Sequence, residues 1–145
     1  MNHPVNNETF IIYAITCLLL CANLFFLWGY SGAVRAKTKL AINPEDSSRF
    51  GTGLNDFDPP EVARVLRAHA NAAANIYPFL ILGLVFVFAG GGARVATIIF
   101  ACFVAARWAH TAMYLAAKQP ARTICFALGA AASVALMIAL VLRLV

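Results

Sequence analysis

Basic and amide side chains recur at helical spacing inside a stretch that is otherwise apolar. In the segment PEVARVLRAHANAAANIYPF, the residues Arg64, Arg67, Asn71 and Asn75 fall on one face of a helix. Such side chains donate hydrogen bonds to anions and can also bond to a neighbouring helix. The stripe therefore predicts a polar surface that meets an anionic ligand or a packed helix.

A second stripe lies further along the chain, in the segment RWAHTAMYLAAK. It consists of Arg107, His110, Thr111, Tyr114 and Lys118. Arg122 and Thr123 then occupy the predicted first turn of the last helix, where the helix dipole favours a nearby anion. A cation lowers the pKa of a thiol and a hydroxyl donates to the sulfur anion, so Arg122, Thr123 and Tyr114 make thiolate chemistry possible.

The helices that carry these stripes offer few carboxylates to pair with them. The acidic residues lie in termini, in loops or in the first turn of the second helix: Glu8, Glu45, Asp46, Asp56, Asp58 and Glu61. A charged group at membrane depth costs about 2.5 to 3.5 kcal/mol on insertion scales, so it needs a partner. A bound anion is one way to supply the missing negative charge.

Composition indicates that lipid surrounds these elements. Of the 145 residues, 62% are hydrophobic and 12% charged, and the mean hydropathy is +0.79. A soluble fold of this length cannot bury so much apolar surface. The net charge of +5 comes mostly from residues beside the apolar segments, which indicates membrane topology and headgroup contact rather than nucleic-acid binding.

Four apolar segments predict an all-α integral membrane bundle in a single domain, 1–145. The predicted helices are 10–34, 60–88, 94–117 and 120–144, with a polar cytoplasmic loop over 36–59. Lys and Arg concentrate at one end, so both termini are expected to face away from the cytoplasm, in a bacterial inner membrane or an endoplasmic reticulum.

Each polar residue also has a purely structural interpretation. Arg64 and Arg67 can extend to lipid headgroups, and Asn71 and Asn75 can hold helices together. Arg107 can donate to carbonyls that Pro78 frees within its helix. Convergence of stripes from three helices at one membrane side favours a ligand site.

Other polar or small residues are assigned to structure. They are Asn23, His69 and the run Gly129-Ala130-Ala131-Ala132-Ser133. The cysteines Cys17, Cys21, Cys102 and Cys125 form no CxxC motif, so we predict buried thiols and no metal site.

Three sequence segments resemble the MAPEG family (membrane-associated proteins in eicosanoid and glutathione metabolism). They are RVLRAHANAAANIYPFLILGLVFVFAG, AVRAKTKLAINPED and RWAHTAMYL, with a weaker match in PARTICF. The resemblance implies a homotrimer of four-helix subunits that binds glutathione between protomers. It also implies conjugation of glutathione to lipophilic electrophiles, reduction of lipid hydroperoxides, or isomerisation of prostaglandin endoperoxides.

The resemblance also implies residue roles. Arg35 reaches the carboxylate of glutathione from an adjacent subunit, Arg122 and Thr123 stabilise the thiolate, and Asp46 orients them. By the same resemblance, Asn71, His110 and Tyr114 hold the peptide. The predicted cofactor-binding residues also include Arg67, Asn75 and Arg107 from the polar stripes, and Phe126 on the last helix.

The chain departs from the family pattern in places. Ala74 replaces a glutamate that meets the glutathione amino group, Ala70 replaces a basic ligand, and Phe126 replaces a tyrosine. The turn before Pro120 is one residue shorter. Three hypotheses follow: a glutathione-dependent enzyme, a binding or scaffold protein that has lost catalysis or uses another anionic thiol, and, ranked last, a small-anion channel.

Overall fold

The computed structural model describes residues 7–145. The chain forms helix α1 (Asn7–Thr38), strand β1 (Leu40–Ala41), helix α2 (Pro44–Phe50), strand β2 (Gly53–Leu54), and helices α3 (Pro60–Phe88), α4 (Ala93–Leu115) and α5 (Gln119–Leu144). Within these residues, four helices are long and apolar enough to cross a membrane, namely α1, α3, α4 and α5. The predicted set of four apolar helices is therefore confirmed.

The helix α1 continues beyond the predicted end at residue 34 and stops at Thr38. Its last turns consist of AVRAKT, in which alanine, arginine and lysine all favour helix. Lys39 then adopts a positive φ of 51°, a conformation that ends the helix. Arg35 is consequently held on a helix rather than on a loop.

The segment predicted as an irregular loop contains regular structure. Pro44 occupies the first turn of α2, and Gly51, with φ of 60°, closes that helix. The strands β1 and β2 flank α2 and pair in parallel, with Leu40 opposite Gly53. This small unit fixes the chain that follows Arg35.

The core lies between α1, α3, α4 and α5, and α3 contributes the most buried residues. The buried residues of α3 follow helical spacing, as in Val65, Ala68, Ala72, Ile76 and Phe79. The ring of Phe79 stacks on that of Phe103 in α4, with centroids 3.6 Å apart. This packing sets the position of α4 relative to α3.

Glycine is required at the turn between α3 and α4. A Cβ atom on Gly91 would lie 2.2 Å from the ring of Phe86, so no side chain fits there. The hydroxyl of Thr9 donates a hydrogen bond of 2.9 Å to the Gly91 carbonyl and ties α1 to this turn.

The turn between α4 and α5 is closed by the backbone. Helix α4 ends at Leu115, two residues before the predicted end, because Ala117 adopts a left-handed φ of 58°. The N–H of Lys118 then donates to the carbonyl of Met113 at 3.0 Å, a bond typical of a helix end of this kind. The start of α5, and with it Arg122, is thereby fixed beside the end of α4.

Asn23 and Thr111 form a buried polar pair between α1 and α4. The Asn23 amide nitrogen lies 3.1 Å from the Thr111 hydroxyl oxygen, and both residues are buried. This bond agrees with the structural role predicted for Asn23, and it removes Thr111 from the candidate site.

The prediction that all four cysteines are buried is wrong for two of them. Cys21 and Cys102 are exposed, whereas Cys17 and Cys125 are partly buried. Both exposed thiols lie on helices that can cross a membrane, where lipid can cover an apolar side chain as well as protein does.

Candidate functional site

Arg107 is the centre of a cationic cluster formed by α3, α4 and α5. Its side chain is 1% exposed, and its Nη2 donates to the Asn71 Oδ1 at 3.3 Å. Its Nε and Nη1 are also buried and have no hydrogen-bond partner within residues 7–145. A buried guanidinium with two unused donors is costly, and an anionic ligand would satisfy it.

Gly129 of α5 lies beside this arginine. A Cβ atom placed on Gly129 would lie 3.9 Å from both Cδ and Nη1 of Arg107, and 3.7 Å from the Cβ of Ala106, which are ordinary van der Waals distances. Gly129 is buried in this contact between α5 and α4, in agreement with the structural assignment of the run that contains it.

Aromatic and basic side chains continue the cluster along α4 and α5. The rings of His110 and Tyr114 meet edge to face, with centroids 5.6 Å apart, and the ring of Phe126 lies 6.2 Å from that of His110. The Arg122 Cζ lies 4.6 Å from the Tyr114 ring centroid, within the range of a cation–π contact. Tyr114 thus positions the Arg122 guanidinium.

Helix α3 contributes amides to the cluster. Asn71 accepts the bond from Arg107, and the Asn75 amide nitrogen donates back to the Asn71 backbone carbonyl at 2.8 Å. Asn71 therefore links α3 to α4 beside the unpartnered donors of Arg107. The alternative in which Arg107 donates to carbonyls freed by Pro78 is not observed, because its bond goes to the Asn71 side chain.

Two predicted site residues lie at the outer surface of the protomer. Arg67 in α3 and Thr123 in α5 are both exposed, next in sequence to buried or partly buried neighbours. Their side chains can line an enclosed site only if another molecule, such as a second protomer, covers this face.

Arg35 lies in different surroundings. Its Nη2 is 2.5 Å from the Asp58 Oδ1, which is the one ion pair formed within residues 7–145. Arg35 therefore has a carboxylate partner within its own chain, because the segment before α3 brings Asp58 back to the end of α1.

A cavity of about 580 Å³ opens beside Arg35. Its lining includes Lys39, Asp46, Phe50 and Thr52, and the Thr52 hydroxyl is buried without a partner within the described residues. The Asp46 Oδ2 accepts a hydrogen bond of 3.0 Å from the Asn43 amide, not from Arg122 or Thr123. Arg35 and Asp46 thus form a second group of site residues.

Sequence reasoning missed Asp58 and Thr52. Neither residue shares a helical period with Arg35, and a local signal could not identify them. They meet Arg35 and its cavity only through the fold of the β1–α2–β2 unit. His69, assigned to structure, lines a separate groove with Trp28 and Tyr77.

Comparison with known proteins identifies the family. A sequence model described as "MAPEG family" matches residues 13–142. The chain belongs to the MAPEG family. This membership, with four helices able to span a bilayer, makes it an integral multi-pass membrane protein.

Individual MAPEG relatives fall into two named activities. The chain is 39% identical to prostaglandin E synthase of Homo sapiens, over 79% of this chain and 80% of that protein. It is 36% identical to microsomal glutathione S-transferase 1 of Sus scrofa, over 86% of this chain and 84% of that protein. It is 35% identical to prostaglandin E synthase of Bos taurus, over 86% of this chain and 82% of that protein.

Proposed function

We propose that this chain is a membrane-bound, glutathione-dependent transferase or isomerase that acts on lipophilic electrophiles, hydroperoxides or endoperoxides. The observation that carries the proposal is Arg107, which is buried in α4 and has two guanidinium nitrogens without a partner among residues 7–145, with Arg122 held nearby on Tyr114. Relatives named for glutathione transfer and for prostaglandin E synthesis support this class of reaction.

The donors present fit glutathione, an anionic peptide. Its carboxylates and amides require N–H and O–H donors, which Arg107, Asn71, His110 and Tyr114 can offer. Arg67 and the amide of Asn75 lie on the same stripe of α3. When bound, glutathione supplies a nucleophilic sulfur, and the residues of the chain position it and exclude water.

We assign the thiolate-stabilising role to Arg122 and Thr123. A guanidinium favours the anionic form of a nearby thiol, and a hydroxyl donates a hydrogen bond to the sulfur. The stacking of Arg122 on Tyr114 fixes the cation before the ligand arrives, which reduces the reorganisation needed for reaction. Phe126 provides an apolar wall beside His110.

We further propose a homotrimer with the site between protomers, and both termini away from the cytoplasm. Arg67 and Thr123 are exposed in the single chain, and Arg35 and Asp46 belong to a separate group. A neighbouring copy that brings its Arg35 to the glutathione carboxylate, and its Asp46 to Arg122 and Thr123, would unite the two groups. The cavity beside Arg35 supplies room for part of a ligand.

The test is turnover by the purified protein in detergent or liposomes. Glutathione with an activated aryl halide, a lipid hydroperoxide or a prostaglandin endoperoxide should give product above a heat-inactivated blank. S-Methylglutathione is the matched control, since it retains the peptide but has no free thiol. An intact oligomer with no activity toward any of the three substrates would contradict the proposal.

A second candidate is a binding or scaffold protein without catalysis. Ala70 and Ala74 favour it, because both are exposed methyl groups next to Asn71 and supply no ligand group. This candidate predicts glutathione binding, or binding of another anionic thiol, without turnover. Thermal stabilisation by glutathione together with zero product formation would select it.

A further inference from the structure

Every charged side chain of the cluster around Arg107 is basic. Arg107 and Arg122 are joined there by His110, and Arg67 lies one helical turn before Asn71 on α3. The field at this position therefore favours negative charge and opposes positive charge.

The carboxylates of the described chain lie elsewhere. Asp58 is paired with Arg35, and Asp46 accepts from Asn43 in α2. Glu61 belongs to the first turn of α3, and Glu45 and Asp56 are exposed in the segment before it. Glu8 belongs to the first turn of α1, next to the residue that binds the opposite turn at Gly91.

The groups that flank Asn71 on α3 are neutral. Ala70 and Ala74 are exposed methyl groups, and the Asn75 amide nitrogen is engaged with the Asn71 carbonyl. An ammonium group bound beside Asn71 would find amide oxygens but no carboxylate from residues 7–145 of its own protomer, and Asp46 of a neighbouring copy is proposed to meet Arg122 and Thr123 instead. The ammonium group would also lie in the field of at least two arginines.

From this arrangement, and resting on the proposed function, we propose that the site selects thiols by their negative charge alone. The co-substrate class is a carboxylate-bearing thiol whose amine is absent or acylated, and such a thiol binds at least as tightly as glutathione. An acyl group removes the positive charge that the cluster opposes, and the chain loses no charge pair in return.

The experiment compares glutathione with N-acetylglutathione on the purified oligomer, by calorimetry and by thermal denaturation at equal concentrations. The two thiols differ in the charge of one nitrogen and in the acetyl group that removes this charge. We expect N-acetylglutathione to bind with an equal dissociation constant or one lower by about three- to tenfold. Glutathione binding tenfold more tightly would overturn this inference and leave the proposed function standing.

Failure of the proposed function gives a different result. In that case neither thiol changes the melting temperature or releases heat on titration beyond the sodium chloride and buffer controls. A site that binds both thiols without turnover, and binds N-acetylglutathione at least as tightly as glutathione, supports the charge selectivity and selects the binding-protein candidate.

A variant provides an independent check. Ala74 is exposed one turn after Asn71, so Ala74→Glu places a carboxylate beside the neutral amides. We expect it to shift the ratio of the two dissociation constants toward glutathione by about tenfold, whereas Ala74→Gln, of equal size, leaves the ratio unchanged. An unchanged ratio in a folded Ala74→Glu variant would count against the inference. If that variant does not assemble, the comparison of the two thiols on the unaltered protein decides.

Discussion

Arg35 and Arg107 show two ways in which one chain treats an arginine. Arg35, at the end of α1, is partly exposed and is paired at 2.5 Å with Asp58. Arg107, in α4, is 1% exposed, yet among residues 7–145 only its Nη2 has a partner, the neutral amide of Asn71. In this part of the chain the partly exposed arginine therefore has a counter-charge and the buried one has none.

The ion pair is formed by the arginine that would lose less free energy if it were left unpaired. An exposed guanidinium is solvated and needs an ion pair least, whereas a buried one needs it most. The fold brings Asp58 to Arg35, so it can place a carboxylate beside an arginine. The unpaired state of Arg107 therefore points to a ligand that completes the cluster.

Replacement of Arg122 by alanine tests whether the cationic cluster around Arg107 takes part in the reaction, and it has the largest expected effect. Because the guanidinium is held on Tyr114 before reaction, its loss should lower turnover with glutathione by about a hundred- to a thousandfold. Arg94→Ala is the matched control, since Arg94 is exposed at the other end of α4. Full activity in a folded Arg122→Ala variant would remove Arg122 from the mechanism.

Replacement of Arg107 by methionine separates stability from binding. Removal of a buried, incompletely paired charge in favour of an apolar side chain of similar length should leave the ligand-free protein as stable as before or raise its melting temperature. The same change should abolish stabilisation by glutathione, which for an intact site is about 2.7 kcal/mol at a hundredfold the dissociation constant.

Thermal denaturation with and without glutathione measures both effects of Arg107→Met. Arg107→Lys retains the charge but loses the planar fork of donors, so it should restore part of the stabilisation. A methionine variant that is destabilised without ligand and still stabilised by glutathione would show that Arg107 has a structural role only.

The sequence predicted the helices and much of one cluster, because both depend on local periodicity. The stripes of α3 and α4 placed Asn71, Arg107, His110 and Tyr114 on common faces, and the structure brings them together. The surroundings of Arg35 were not predictable in this way.

Three features depend on contacts between different elements, which the helical periodicity of the sequence does not indicate. Arg35 and Asp58 are far apart in sequence and meet through a short parallel strand pair. The exclusion of Thr111 from the site follows from its bond to Asn23 in another helix, and the approach of α5 to Arg107 follows from the packing of α5 on α4. Which face a neighbouring protomer covers also depends on assembly, which a single chain does not show.

Replacement of Asp58 by asparagine removes the counter-charge of Arg35. Loss of a partly exposed ion pair should lower the stability of the ligand-free protein by about 1 kcal/mol or less. Because Arg35 is then released for a ligand carboxylate, glutathione affinity should stay equal or increase. Calorimetric titration of the variant checks this, and a tenfold loss of affinity would mean that Asp58 holds Arg35 in its binding position.

Substitutions in the buried pair of Asn23 and Thr111 have the smallest expected effect on stability. This pair can be compared with Arg35 and Arg107 as a third buried or partly buried polar contact. Each side chain satisfies the other, so neither needs a ligand. A double-mutant cycle with Asn23→Ala and Thr111→Ala should give a coupling energy of about 0.6 kcal/mol, as for hydrogen bonds between membrane helices. Glutathione should add equal stability to all four proteins of the cycle, because the pair lies outside the cationic cluster. A coupling energy that changes when glutathione is added would instead connect α1 to the ligand and extend the site to Asn23.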